Sequence, residues 1–218
     1  VYIGVGPDQN YSYIAATRPE FSFIVDHSKD NQLLHFLHKA IAEISETRGE
    51  FLAHLFSKPL PSVSAAGLSL TKLVDLLDST PGQEQLAQEN WSKIRGRVEG
   101  YGRVGESLDI DRMHEIYDCF FESNLDLRCR TVQYTSHQRE YPTYREFLQR
   151  SKIQQGNFLD CDDSYDFVRT QHLQNRVIPL TGDFSGERTL SAIALFCRQR
   201  GLLVNSFYIS NVDYRLIN

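Results

Sequence analysis

The stretch from Val1 to Asp26 constrains this chain more than any other. Val1-Tyr2-Ile3-Gly4-Val5-Gly6 is apolar and β-branched and then meets glycine, which reads as a short buried strand entering a tight turn. Asn10 to Thr17 has helical character, and Arg18-Pro19-Glu20 breaks it, because proline has no N–H to continue the ladder. Phe21-Ser22-Phe23-Ile24-Val25-Asp26 is a second strand that closes on an acid. Two strands joined by one helix predict a right-handed βαβ unit with parallel strands.

Downstream, strands and helices continue to alternate. Asp30 or Asn31 is the expected cap of a helix whose apolar stripe is Leu33, Leu37, Ala40, Ile41 and Ile44. Glu50 to Phe56 predicts another helix after a bend near Gly49, and Lys58-Pro59-Leu60-Pro61-Ser62 a loop. Leu68 to Val98 is helical apart from a break at Thr80-Pro81-Gly82, and Tyr101 to Glu106 is a loop. Ile110 opens a helix with Met113, Ile116, Tyr117 and Phe120 on one side.

Leu125 to Gln133 alternates and is the expected third strand, with Arg128 and Arg130 on its outer face. Tyr141-Pro142-Thr143 starts a helix that ends near Lys152, and Asp162 or Asp163 caps one that ends near Leu173. Val177 to Leu180 is a fourth strand, Gly186 to Arg200 a helix stopped by Gly201, and Leu202 to Ile209 the last strand. This order predicts a single three-layer α/β domain over residues 1–218, with a mainly parallel sheet covered on both faces. The span between the second and third strands exceeds one crossover, so a helical insertion is expected at residues 58–108.

Composition narrows the partners. The net charge of −5 gives no long-range attraction to nucleic acid or an anionic membrane. No apolar run reaches the roughly 18 residues of a membrane span, so a cytoplasmic protein is expected. The first residue is not Met, which predicts residues upstream of Val1. Cys119, Cys129, Cys161 and Cys197 form no C-x-x-C pair and are expected to be reduced and mostly buried. The sequence leaves the oligomeric state open.

Chemistry is expected first at the glycine turn. Gly4 and Gly6 allow a sharp bend and close approach of a ligand, and the next helix offers its unpaired amides to the turn. Asp26 ends the adjacent strand, where an acid can accept hydrogen bonds from both ribose hydroxyls. These residues predict a nucleoside site; a plain tight turn with an exposed acid is the alternative. A dinucleotide motif needs a third glycine, but the chain continues Pro7-Asp8-Gln9-Asn10, and Asp8 would repel a pyrophosphate. S-adenosylmethionine, a sulfonium without phosphate, tolerates that acid.

A second site is expected at Thr181-Gly182-Asp183-Phe184-Ser185-Gly186. If the fourth strand lies beside the first, Asp183 faces the ligand crevice as a base or positioning group; capping the next helix is the equal alternative. Ser185 is not in a G-x-S-x-G elbow and is a poor nucleophile. Asn211 would contribute an amide contact or a loop cap, and Tyr141, Tyr144 and Arg145 would line an acceptor pocket. Tyr11 and Tyr13 either stack on adenine or pack in the core. His35 and His38 are one helical turn apart with no third ligand apparent, and read as a packed or solvated pair rather than a metal site.

Val1 to Asn10, with Tyr13-Ile14-Ala15-Ala16, Phe23-Ile24-Val25-Asp26, the 177–186 stretch and Phe207-Tyr208-Ile209-Ser210-Asn211-Val212, resembles a largely uncharacterised bacterial protein family. Its first βαβ unit is similar to that of class I S-adenosylmethionine-dependent methyltransferases. The resemblance implies a Rossmann-like fold, with Gly4 and Gly6 in the glycine loop, Asp8 beside it and Asp26 as the ribose-binding acid. Two positions depart from the pattern: Tyr2 replaces an acid, and Asp8 replaces the third glycine. The expected function is a methyltransferase-like protein with unknown acceptor; a non-catalytic nucleoside- or partner-binding scaffold is the alternative. A nicotinamide-dependent oxidoreductase is third.

Overall fold

The computed structural model describes all residues except 60–66, 102–107, 129–141, 150–155, 185 and 211–218. β1 (Tyr2–Gly4) and β2 (Ser22–Asp26) are parallel neighbours, with Ile3 opposite Phe23, and α1 (Gln9–Thr17) joins them. α1 stops at Arg18, whose φ of 47° turns the chain left-handed just before Pro19. β3 (Val177–Thr181) pairs with β2, and β4 (Ser206–Phe207) with β1, all parallel, in the order β3-β2-β1-β4.

Among the described residues the chain leaves the sheet after Asp26 and returns at Val177. Between them lie α2 (Lys29–Ile44), α3 (Arg48–Leu55), α4 (Leu70–Asp78), α5 (Glu84–Val98), α6 (Ile110–Ser123), α7 (Tyr144–Gln149) and α8 (Asp162–Leu173). α9 (Thr189–Gln199) connects β3 to β4.

Alternation along the strands sends side chains into two cores. Ile3, Val5, Phe23 and Val25 pack with Phe184 and with Ile193 and Cys197 of α9. Tyr2 and Ile24 point the other way, into a larger core built on α1, α2 and the helices that follow. α2 is its axis, packing against α3, α5, α6 and α8. Leu37, Ala40 and Ile41 are fully shielded, and burying each of the two larger side chains contributes about 1.5–3 kcal/mol. Because α2 has neighbours on several sides, His35, His38 and Lys39 are buried too.

Arg48 fastens this helical layer. It is 2 % exposed; Nε donates to Asp162 Oδ1 at 2.7 Å, and the terminal nitrogens donate to the carbonyls of Leu159 (2.9 Å), Asp160 (3.2 Å) and Leu68. A buried guanidinium is tolerable only with its donors satisfied in this way.

Several expectations change. Residues 124–126 form a 3₁₀ turn, and Arg128 makes one antiparallel bridge to Thr143, so the described part of the expected third strand, residues 125–128, is not in the parallel sheet. Leu125 is buried at that turn rather than on a strand face. Only Ser206 and Phe207 of the last strand pair. Ser28, not Asp30 or Asn31, caps α2, accepting from the Asn31 amide at 3.4 Å. A Thr47–Glu50 capping box starts α3 two residues earlier than Glu50. Asp162 and Asp163 occupy the first turn of α8, behind the cap position of Cys161, and α9 begins at Thr189 rather than Gly186. Cys119 and Cys161 are exposed and only Cys197 is buried among the described cysteines. Asn211, Ser185, Cys129, Arg130, Tyr141, Lys152, residues 129–133 of the expected strand and most of the 101–106 and 58–62 loops lie outside the described residues. No helix among the described residues is long and apolar enough to cross a membrane.

Candidate functional site at the carboxyl edge of the sheet

β1 and β2 end side by side, so the turn after Gly4 and the carboxylate of Asp26 share one edge. Gly6 has φ +88°, a conformation that favours glycine. Gly4 is needed for a different reason: a Cβ there would collide with Asn10 Oδ1 and the Tyr2 hydroxyl. Those two groups bond each other at 2.6 Å under the turn. The space that Gly4 frees is therefore filled by the protein's own side chains.

The turn is held from inside by α1 and α2. Asn10 Nδ2 donates to the carbonyls of Val5, Gly6 and Pro7 at 3.1, 3.1 and 2.6 Å. Asn31 Nδ2 contacts both the Gly6 carbonyl (2.9 Å) and Asp26 Oδ2 (3.3 Å), so one amide nitrogen couples the turn to the acid. Asp26 Oδ1 accepts from the Ser28 amide at 2.9 Å and lies 3.3 Å from His27 Nδ1. His35 Nε2 is 3.0 Å from the Gly6 carbonyl. A carbonyl only accepts, so that nitrogen carries the proton and Nδ1 accepts from the Tyr11 hydroxyl at 2.7 Å.

Asp8 and Tyr144, expected at the ligand, are both buried and bond each other: the phenol donates to Asp8 Oδ2 at 2.8 Å. Burial pushes the Asp8 carboxyl up to about 6, and the Tyr144 hydrogen bond opposes that shift. Tyr11 is in the core with its ring among His35, His38 and His172, at centroid distances of 5.5, 5.7 and 5.1 Å. Tyr13 is half-buried and packs on Tyr208 at 4.7 Å. Burial pushes His35 down to about 4 and His38 to about 3, with the neighbouring His35 adding to the His38 shift. His172 is also held well below the usual range, by burial and then by the Lys39 charge. Among the described residues neither ring nitrogen of His38 has a hydrogen-bond partner, nor has His172 Nδ1. Among the described residues no group of three or more His, Cys, Asp or Glu is arranged to hold a metal ion.

Asp183 follows β3, which pairs with β2 and not with β1. The condition on which it would face the turn is therefore not met. It instead lines a surface depression of about 380 Å³ with Gly186, Glu187, Arg188 and Thr189. That depression stays close to Asp26, since the Gly182 amide donates to the Asp26 carbonyl at 2.8 Å.

The structure thus brings Gly4, Gly6 and Asp26 to one edge, keeps Asp183 on the far side of β2, and turns Asp8 and Tyr144 inward. Asn10, Asn31 and His35 are the residues that sequence reasoning missed. The only sequence signal for the first two was an asparagine near the start of each helix that follows a strand.

A family model described as a domain of unknown function, DUF7790, matches residues 1–65 and 111–214. That is more than half of the chain, which therefore belongs to this family. The matched segments flank α4 and α5. No curated protein matches the chain.

Proposed function

We propose that this protein is a Rossmann-like nucleoside-binding domain whose ligand sits at the Gly6 turn and Asp26, with S-adenosylmethionine as the ligand to test first. One observation carries the reading: parallel neighbouring strands deliver a glycine turn and an acid so close that one asparagine nitrogen contacts both. A carboxylate has about four lone-pair positions. Ser28 and Asn31 use one on each oxygen, so Asp26 keeps acceptor capacity for the two ribose hydroxyls. Asp8, at about 6, is mostly ionised at neutral pH beneath the turn and disfavours a pyrophosphate. A methyl donor would supply an activated methyl group there. The chain's own part would be alignment of the acceptor.

A second reading is a ligand-free or partner-binding scaffold. It is favoured by the Tyr2–Asn10 pair, which fills the space under Gly4, and by the three side chains already bonded to the Gly6 carbonyl.

Thermal shift with S-adenosylmethionine, S-adenosylhomocysteine, NAD and ATP separates the two. A ligand that binds only the folded chain stabilises it by about 2.7 kcal/mol at a hundred times its Kd. The proposal expects a shift with the first two, lost in Asp26→Ala measured against that variant's own baseline. No shift with any of the four selects the scaffold. Methyl transfer, detected directly, is the separate test of catalysis.

A further inference from the structure

The far end of α2 carries a different kind of site. An open cavity at the surface, about 560 Å³ in volume, is lined by Glu43 and Ile44 of α2, Glu46, His54 of α3, Lys93 and Arg97 of α5, and Arg169 of α8. His35 touches the Gly6 carbonyl and Glu43 lines the cavity, so about 12 Å of α2 separates the two along the helix axis at 1.5 Å per residue. In a chain of net charge −5, three permanent cations around one cavity are a local reversal of sign.

The charges in the wall do not cancel. Glu43 is committed elsewhere: it pairs with Lys39 through Oε1, and Oε2 accepts from the Tyr101 hydroxyl at 2.5 Å. Lys93 and Arg97 are one helical turn apart on α5, on the same face. Neither makes an ion pair among the described residues, nor does Arg169. Arg169 is fixed in place, its Nε donating to the carbonyls of Ala42 (3.1 Å) and Ser45 (2.6 Å), and no described residue takes its terminal nitrogens. Ser45 Oγ donates to the Ile41 carbonyl at 2.7 Å, so His54 Nδ1 must be the donor to Ser45 Oγ at 2.8 Å. Glu46 is the one carboxylate that opposes an anion here.

We infer that this cavity binds a phosphate-bearing small molecule. Its volume is in the range of small-ligand pockets. Two guanidinium groups offer forked donors that match phosphate geometry, and the lysine adds a point charge. Holding Arg169 in advance lowers the ordering cost of binding. Lys93 and Arg97 lie in the segment between the two parts matched by the family model, so α5 supplies two of the three cations.

The test is a backbone NMR titration of the full chain with inorganic phosphate at constant ionic strength, using chloride as the reference salt. Saturable shifts are expected for amides at residues 43–46, 54, 93–97 and 169. The exposed double variant Lys93→Gln/Arg97→Gln should weaken binding about tenfold or more, with other resonances unmoved, whereas Asp26→Ala leaves it intact. Shifts no larger than with chloride, or saturable binding unaffected by the double variant, overturn the assignment.

Discussion

At the first turns of α2, Asn31 and His35 reach across to the Gly6 carbonyl and the Asp26 carboxylate, and the polar groups there are tied to the protein itself. At its last turn, Lys93, Arg97 and the terminal nitrogens of Arg169 surround a cavity with no ion-pair partner among the described residues. Halfway between, His38 is buried with neither ring nitrogen matched among the described residues. One helix therefore passes through three regimes of polar satisfaction. Satisfied groups fix a backbone shape, unmatched exposed charges invite a ligand, and an unmatched buried ring lowers stability.

The strongest way to stress this contrast is acid. His35, His38 and His172 have folded-state values below their unfolded value near 6.5. Between those limits the unfolded chain binds more protons, so their contribution is complete above about pH 6.5 and is lost as pH falls. Each histidine adds up to about 1.4 kcal/mol per pH unit to that slope. Asp8, raised to about 6, works oppositely: its stabilisation is complete below its unfolded value of 3.8 and is lost as pH rises through 6. Three groups against one give a net loss of several kcal/mol between pH 6.5 and 4.5. Urea unfolding across that range measures it, and a flat profile means the cluster is hydrated or already charged.

Next in size is Gly4→Ala. Its Cβ would displace the buried Tyr2–Asn10 pair, costing about 3 kcal/mol. Gly96→Ala is the matched comparison: it lies within α5 with open space around its Cβ position, and a gain of up to about 1 kcal/mol is expected. Similar losses at both positions would mean that the first turn is not packed as described.

The smallest effect is expected from His38→Leu. It removes two unmatched buried nitrogens and should raise stability by about 1 kcal/mol, while making the acid slope shallower. A clear destabilisation at neutral pH would reveal a partner for that ring.

The first βαβ unit was readable because every signal in it is local: an apolar run, a turn glycine, a proline stop and a terminal acid. Residues 125–128 misled because Leu125 and Leu127 fit a strand period, although Leu125 is buried just after Asn124 takes φ 51° to end α6. Asparagine is a recognised helix-stop residue, and giving it more weight would have ended the helix there without starting a strand. The inward roles of Asn10, Asn31 and His35 were not legible in the same way. Each depends on α1 and α2 lying against the same turn, a tertiary fact that no spacing along the chain encodes. Asp8 and Tyr144 are 136 positions apart, and only the assembled core makes them a pair.

The long excursion between Asp26 and Val177 has a kinetic corollary. β1 and β2 can zip together from nearby sequence, whereas β3 must wait for the helices from α2 to α8 to be gathered and β4 for nearly the whole polypeptide. Loop-closure entropy has to be met before such distant pairings return any energy. During synthesis or refolding the central parallel pair would thus stand with both flanks bare, and sequestering those flanks becomes the slow step of maturation.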